Sequence, residues 1–224
     1  KGVAGAKDGI KVVVEIKRRA RDGVAAEGRI LEVLGRAGDA QVELKSLIRQ
    51  YDLPEEFPDE VQEEAERAAA REISAEGRED WRGRSVFTID GADAKDLDDA
   101  VSIRRLDNGW ELGVHIADVS HYVAEGSRLD REALKRGTSV YLADTVIPML
   151  PRALSNGACS LSAGTDKLTL SCIMTLDQRG QIIDSRIVQS LIRSKHRLTY
   201  SDVNALFKGD ESLRAKYADI LDDL

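Results

Sequence analysis

Five aspartates crowd into the ten residues from Asp90 to Asp99, directly after a strand-like segment at 85–89. Two carboxylates about 4 Å apart repel by about 4 kcal/mol at an effective dielectric of about 20. A fold that gathers several of them therefore needs bound cations or protonated carboxyl groups. Oxygen ligands without His or Cys suit Mg²⁺, with Mn²⁺ as the alternative. The other interpretation of these residues is a solvated acidic loop that never converges on one point.

The position of the aspartates favours the metal site over the solvated loop. An apolar strand before the loop would fix it against a rigid scaffold. The spacing does not fit a calcium EF-hand, because Ala100 and Val101 stand where a third ligand and the glycine belong. Clusters of Mg²⁺-binding aspartates most often serve phosphate chemistry. Spacing alone does not decide the reaction.

Short strands, hairpin turns and helices surround this loop. Apolar periodicity predicts strands at 9–18, 28–34, 85–89, 100–105, 110–116, 168–176 and 181–188. It predicts helices at 42–50, 59–76, 127–136 and 201–207. Arg21-Asp22-Gly23 and Asp107-Asn108-Gly109 suit turns between strands. Strands in hairpins mixed with helices predict an α+β fold that is mainly antiparallel.

The net charge of −7 does not exclude nucleic acid, because the charge is unevenly distributed. Between Glu55 and Asp80 the chain holds eleven acidic and three basic residues. Most of the acidity therefore lies on one segment, which we interpret as a solvated amphipathic helix. The first two strands cannot form an independent domain, and they are typical of the end of a small β-barrel.

The remaining composition indicates a cytoplasmic protein. Cys159 and Cys172 have no metal-site spacing and predict reduced thiols. No run of about 18 apolar residues exists, so we expect no membrane span. The chain begins at Lys1 rather than Met, and no signal peptide follows. We therefore expect a fragment of a longer polypeptide.

Several sequence blocks resemble the catalytic domain of the ribonuclease II/R family. The first is VFTIDG at 86–91 with DLDDAV at 96–101, whose form is more similar to the ribonuclease R branch. Further similar blocks follow in the order that they have in this family. They are HIADVSHYV at 115–123, GTSVYL at 137–142, and IPMLP at 147–151 with LSNG at 154–157 and CSL at 159–161. The segments at 28–35 and 53–58 resemble the region that precedes this domain in ribonuclease R.

The resemblance implies a domain organisation. Residues 82–224 would be the N-terminal part of a truncated RNB-type catalytic domain. Residues 51–81 would be a linker with the acidic helix. Residues 1–50 would be the C-terminal part of a cold-shock or OB-type barrel. We expect the missing remainder of the same polypeptide as a partner, and the sequence carries no prediction of the oligomeric state.

The resemblance also implies a function. It is a hydrolytic 3′→5′ exoribonuclease that takes the 3′ end of single-stranded RNA and releases nucleoside 5′-monophosphates through Mg²⁺-activated water. Asp90 and Asp99 match direct metal ligands, Asp96 matches a supporting ligand, and Asp98 matches the aspartate most tightly tied to cleavage. The resemblance thus implies Asp90, Asp96, Asp98 and Asp99 as metal ligands, and Asp96 and Asp98 as catalytic residues. Tyr141 matches an aromatic that stacks on the RNA 3′ end. The alternative is an RNA-binding fragment or regulatory relative without catalytic activity of its own.

Other polar residues have competing interpretations. His115 and His121 flank Asp118, but a spacing of three on a strand puts His115 and Asp118 on opposite faces, so we predict structural roles. Arg152 would contact an RNA phosphate or stay solvated. A further group of four basic side chains would either guide RNA phosphates or form a solvated strand end; it comprises Arg193, Lys195, His196 and Arg197.

Overall fold

A computed structural model describes residues 6–21 and 23–221 of the chain. In chain order, its strands are β1 (Ile10–Arg18), β2 (Glu27–Arg36), β3 (Glu79–Asp80), β4 (Val86–Asp90), β5 (Asp99–Leu106), β6 (Gly109–Ala117), β7 (Val140–Tyr141), β8 (Val146–Ile147), β9 (Asp166–Leu176), β10 (Ile182–Arg193) and β11 (His196–Thr199). Its helices are α1 (Ala40–Gln50), α2 (Asp59–Ala69), α3 (Val119–Tyr122), α4 (Arg128–Arg136), α5 (Tyr200–Phe207), α6 (Glu211–Lys216) and α7 (Ala218–Leu221), with a π-helical segment at Ala153–Ala158.

The described residues fall into two compact units. The N-terminal unit runs to Phe57 and includes Ser139–Ile147, and the main unit contains Pro58–Thr138 and the chain from Pro148 onward. The boundaries of the three segments predicted from the sequence stay a prediction. None of the helices in the described ranges is long and apolar enough to cross a membrane.

The N-terminal unit is built on the antiparallel hairpin of β1 and β2. Asp22, at the centre of the predicted turn, lies outside the described residues, as does Lys1. After the hairpin, Asp39 caps α1 by accepting hydrogen bonds from the backbone N–H groups of Gln41 and Val42, at 3.0 and 3.3 Å. The helix then buries Val42 and Ile48. These two strands and this helix confirm the elements predicted from the sequence.

A seven-stranded sheet forms the centre of the main unit. Its order is β11-β4-β5-β6-β9-β10-β3. The four inner pairings, from β4 to β10, are antiparallel, and the outer pairs β11–β4 and β10–β3 are parallel. Helices lie before, between and after these strands. The prediction of a mixed, mainly antiparallel α+β fold is therefore confirmed.

The turn between β5 and β6 needs glycine at one position. Gly109 has φ +147°, and a Cβ atom there would lie 1.9 Å from the carbonyl oxygen of Leu176 on β9. No residue with a side chain fits without moving the backbone of a neighbouring strand. The Asn108-Gly109 turn predicted from the sequence is thus confirmed, and the close packing against β9 explains the glycine.

One face of the sheet buries a chain of polar side chains. His115 on β6 is fully buried and lies between two hydroxyl groups, with Ser102 Oγ 2.9 Å from Nε2 and Ser171 Oγ 2.6 Å from Nδ1. Ser171 continues to Ser190 Oγ at 2.5 Å. These contacts join β5, β6, β9 and β10, and each of the four buried side chains in this chain has a hydrogen-bond partner. His115 therefore has a structural environment, as predicted.

The opposite face, at the β11–β4 end of the sheet, is covered by the C-terminal helices. An apolar cluster joins residues of β4 and β11 with residues of α5 and of the chain that follows it; its buried members are Phe87, Leu198, Leu206, Tyr217 and Ile220. Val101 of β5 packs against this cluster. The cluster makes β4 and β11 a rigid base for the loop that leaves β4 at Asp90.

The largest differences from the predicted boundaries are at the ends of α2 and β10. Helix α2 ends at Ala69, although helical spacing predicts a helix to residue 76. It buries Val61, Ala65 and Ala68, whereas Ile73 stays 37% exposed. Without an apolar surface to pack against, the last turns lack the tertiary support that most protein helices need. Strand β10 is longer than predicted, because its pairing with β9 continues to Arg193.

Candidate active site

The aspartate-rich segment is a loop between two neighbouring strands of the sheet. Asp90 is the last residue of β4 and Asp99 is the first residue of β5. We call residues 91–98 between them the aspartate loop. Since β4 and β5 are antiparallel partners, the end of one and the start of the other lie at the same edge of the sheet. Asp90 is half-buried, whereas Asp98 and Asp99 are exposed.

Asp90 has the most perturbed environment of the five aspartates. Burial raises its pKa, and the nearby carboxylates of Asp99 and Asp98 act in the same direction. Thr88 and Arg197 act in the opposite direction without reversing the shift. In the described part of the chain, Asp90 Oδ2 and Thr88 Oγ1 are buried without a hydrogen-bond partner of standard geometry. A buried carboxylate oxygen without a well-aligned hydrogen bond and beside like charges is an environment that a cation would stabilise.

The aspartates come near one another without enclosing a common point. Asp90, Asp98 and Asp99 are close enough to interact electrostatically. Asp96 is half-buried and Asp93 is exposed. Within 6–21 and 23–221, no group of three or more His, Cys, Asp or Glu side chains is arranged to hold a metal ion. The oxygen-only donor set and the unpartnered Asp90 oxygen fit Mg²⁺ or Mn²⁺ chemically. Ligation by Asp90, Asp96, Asp98 and Asp99 stays a prediction.

The four basic residues near β11 do not form one patch. Arg193 donates to Asp166 at 2.6 Å, Lys195 Nζ lies 3.2 Å from Ser85 Oγ, and His196 Nε2 lies 2.7 Å from Asp219. Arg197 instead reaches the aspartate loop, where its Nη2 donates to three backbone carbonyls. Each of the four thus contacts a different part of the main unit.

A second contact to the aspartate loop comes from the CSL block at 159–161. Ser160 is 1% exposed, and its hydroxyl lies 3.2 Å from the backbone nitrogen of Leu97 and 3.0 Å from the carbonyl oxygen of Lys95. The sequence offered one signal that was missed: a serine between apolar residues, once buried, needs hydrogen-bond partners.

The His–Asp–His arrangement around β6 is not a metal site. Asp118 is buried and binds Arg78, with Nη2 2.6 Å from Oδ2. His115 is enclosed by serines, and burial lowers its pKa to about 4. Burial raises the pKa of the Cys159 thiol to about 11, so this cysteine stays protonated and is no nucleophile. The structural roles predicted for these residues agree with their surroundings.

Tyr141 and Arg152 are both exposed. Tyr141 lies on β7 of the N-terminal unit with 65% of its surface accessible, as a base-stacking residue requires. Arg152 directly precedes the π-helical segment of the main unit. Their contacts with RNA stay predictions.

Comparison with known families assigns the seven-stranded sheet and the aspartate loop to a known domain. A model of the RNB domain matches residues 78–224, well over half of the chain. The chain belongs to the RNB family. A model of the cold shock domain matches residues 1–58, which agrees with the barrel predicted for the first strands. The family resemblance of the sequence blocks is thereby confirmed.

Ribonuclease R proteins are among the relatives of this RNB chain. That of Thermotoga maritima is 49% identical over 217 residues, covering 95% of this chain and 31% of the relative. That of Escherichia coli (strain K12) is 40% identical over 225 residues, covering 99% and 28%. The chain spans between a quarter and a third of the length of the first relatives that it matches.

Solved structures share the same fold. Mycoplasma genitalium RNase R in complex with ribose methylated single-stranded RNA has a TM-score of 0.84 at 28% identity, covering 94% of this chain and 34% of that one. Yeast Ssd1, a pseudonuclease, has a TM-score of 0.70 at 24% identity, covering 90% of this chain and 26% of that one. The latter match shows the fold alone.

Proposed function

We propose that this chain carries the catalytic aspartates of a 3′→5′ hydrolytic exoribonuclease that releases nucleoside 5′-monophosphates. The observation that carries the proposal is the edge of the RNB sheet where Asp90, Asp98 and Asp99 lie together and burial raises the pKa of Asp90. Perturbed carboxylates gathered at one edge are a mark of functional sites. The RNA bound in the Mycoplasma genitalium structure supports RNA as the substrate.

In this proposal the chain's own residues ligate the cation, orient the attacking water and bind the RNA. Asp90 and Asp99 would hold Mg²⁺ or Mn²⁺, Asp96 would support them, and Asp98 would take part in cleavage. When bound, the cation supplies Lewis-acid stabilisation of charge on the phosphate oxygens and a more acidic attacking water. The carboxylate of Asp98 accepts a hydrogen bond from the attacking water and helps to orient it toward the terminal phosphodiester.

Two exposed side chains contribute to RNA binding in this proposal. Tyr141 stacks on a base near the RNA 3′ end, which suits an enzyme without sequence preference because every base has a π-face. Arg152 donates hydrogen bonds to a backbone phosphate, which fixes register without reading sequence. We place the reaction in the cytoplasm on the support of two cysteines that form no disulfide.

The second candidate function is RNA binding without cleavage. It is favoured by the lack, among described residues, of three acidic side chains arranged around one point. The shared fold with a pseudonuclease shows that this architecture also occurs in a protein of that description. The two candidates differ in one observable, which is the hydrolysis of RNA in the presence of Mg²⁺.

The experiment is a digest of single-stranded RNA by the full-length protein, with the label at either end of the RNA. A 3′→5′ exonuclease releases a 3′ label at once as a mononucleotide and shortens a 5′-labelled strand to a short end product. Whether or not inorganic phosphate is added to the reaction, chromatography should identify nucleoside 5′-monophosphates as the product. EDTA should stop the reaction. Internal cuts, nucleoside diphosphates or activity in EDTA would contradict the proposal. Binding without cleavage would favour the second candidate.

A further inference from the structure

We propose that Arg197 and Ser160 are positioning residues that hold the two halves of the aspartate loop, so that its carboxylates are arranged before a cation and RNA bind. This inference rests on the proposed function. The loop has eight residues without a helix or strand, and it carries Asp93, Asp96 and Asp98. Repulsion between like charges and chain entropy would both spread such a loop, so contacts from outside must order it.

Arg197 holds the first half of the loop. Its Nη2 donates to the carbonyl oxygens of Gly91, Ala92 and Ala94 at 3.1, 3.0 and 2.8 Å. The same half forms a turn in which the Ala94 N–H donates to the Gly91 carbonyl at 3.2 Å. The two N–H groups of this one nitrogen are therefore shared among three carbonyl oxygens, and the contacts fix the directions of the Gly91, Ala92 and Ala94 carbonyls.

The strand that carries Arg197 is itself rigid. β11 pairs in parallel with β4, with Arg197 beside Thr88 and Thr199 beside Asp90. The neighbouring Leu198 is fully buried in the apolar cluster under the C-terminal helices. Arg197 thus links the apolar core of the unit to the aspartate loop.

Ser160 holds the second half of the loop. Its hydroxyl accepts from the Leu97 N–H at 3.2 Å and donates to the Lys95 carbonyl at 3.0 Å. The next residue adds a third contact, because the Leu161 N–H donates to the Leu97 carbonyl at 2.7 Å. Leu97 is 4% exposed and Leu161 is fully buried, so this anchor lies in the core.

The two anchors bracket the acidic residues. Leu97 is buried and lies between Asp96 and Asp98 in the sequence. Because its backbone is held by Ser160, the backbone positions of both neighbouring aspartates are also restricted. The contacts from Arg197 and Ser160 bind main-chain atoms of the loop instead of its carboxylates. Groups that orient ligands from outside typically change metal affinity or activity by about 10–100-fold when they are removed.

The test compares Arg197→Met and Ser160→Ala with two matched controls in the full-length protein. Arg105→Met removes a surface arginine at the far end of β5, opposite Trp110. Ser102→Ala removes a buried hydroxyl that contacts His115 instead of the loop. Three readouts are measured: amide hydrogen exchange at 93–98 in metal-free protein, Mg²⁺ affinity by calorimetry without RNA, and kcat with KM on single-stranded RNA.

Both anchor variants should exchange loop amides at least about tenfold faster, bind Mg²⁺ about 10–100-fold more weakly and lose about 10–100-fold in kcat. KM should stay within about threefold, since positioning acts on chemistry more than on RNA binding. Arg197→Lys, which keeps the charge and offers three N–H donors from one nitrogen on a different stem, should recover part of the loss. The controls should stay within about twofold in every readout.

The inference is overturned if either anchor variant, folded by circular dichroism, matches its control in loop exchange and Mg²⁺ affinity. If Ser160→Ala does not fold, the exposed Arg197→Met still decides the question. Failure of the proposed function looks different: the wild type itself would neither bind Mg²⁺ nor cleave RNA. Loop exchange in the metal-free variants would then still show whether Arg197 and Ser160 order the loop, and unchanged exchange would overturn the inference.

Discussion

The buried ion pair of Arg78 and Asp118 gives a sharp test of how the main unit is held together. Their side chains are 7% and 1% exposed, with 2.6 Å between Nη2 and Oδ2. The other carboxylate oxygen of Asp118 accepts from the Ser120 hydroxyl and from the His121 N–H. The preceding residue, Ala117, donates its N–H to the Asp98 carbonyl at 2.9 Å. The pair therefore anchors a strand end that touches the aspartate loop.

Asp118→Asn keeps the shape of the side chain but leaves the Arg78 charge buried without its partner. Breaking a buried ion pair from one side costs about 3–5 kcal/mol, because the remaining charge stays desolvated. A matched control is Arg186→Met, which breaks the pair with Glu79 on the surface. Both side chains of that pair are more than 40% exposed, so its loss should cost about 0–1 kcal/mol.

The pair also predicts a pH dependence. Burial alone would raise the pKa of Asp118, but hydrogen bonds from Ser120 and Arg78 outweigh it, and the pKa lies below its ordinary value. A carboxylate whose pKa is lowered in the folded state contributes its full stabilisation at pH values above its pKa in the unfolded chain, which is about 3.9. That contribution is lost as the pH falls through the lower folded pKa. Asp118→Asn should therefore reduce the loss of stability below about pH 4.

The assay is equilibrium unfolding in urea, followed by tryptophan fluorescence. Trp81 and Trp110 both lie in the main unit, so the signal reports that unit. Asp118→Asn should lower the free energy of unfolding by about 3–5 kcal/mol at pH 7, well beyond the control. A loss equal to that of Arg186→Met would refute the reasoning that the buried pair holds this strand end.

Three further predictions concern other positions. Gly109→Ala should cost more than about 1 kcal/mol in thermal unfolding, because its Cβ would overlap the backbone of β9, whereas Gly83→Ala has open space and should be near neutral. His115→Gln should remove a loss of stability that the wild type shows as the pH falls from about 6.5 to about 4, since burial keeps the folded imidazole neutral; an unchanged pH profile of urea midpoints would contradict this. Tyr141→Ala should still hydrolyse RNA but should change the length of the shortest product on a gel, because the last bases lose a stacking partner. End products identical to those of the wild type would show that Tyr141 does not bind the RNA 3′ end.

Local chemistry explains which parts of the fold could be predicted from the sequence. Ser127 caps α4 by accepting from the Asp130 N–H at 3.0 Å, and Gly137 ends that helix with φ +76°, both as expected from residue type. The hairpin turn at Asn108-Gly109 was readable for the same reason. Such signals lie within a few residues of one another, so a single sequence contains them.

Contacts between distant segments could not be predicted in this way. Arg197 binds carbonyl groups more than 100 residues earlier, and Ser160 binds a loop 63 residues earlier. The parallel pairing of β11 with β4 brings Arg197 next to the aspartate loop. The local sequence pattern around residue 197 does not indicate this pairing. The sequence did predict that the aspartates follow a buried strand. The loop that carries them contacts Arg197, Ser160 and the Ala117 N–H, all of which come from other segments of the chain.

The most direct test of the central claim is single-turnover cleavage of RNA by Asp98→Asn in the full-length protein. The matched control is Asp107→Asn, an exposed aspartate in the turn between β5 and β6. The account predicts that Asp98→Asn loses at least about 100-fold in cleavage while RNA affinity stays within about threefold, because the amide removes charge at the reacting centre only. The control should cleave like the wild type. Cleavage by Asp98→Asn above about a hundredth of the wild-type rate would contradict the assignment of the aspartate loop as the active site.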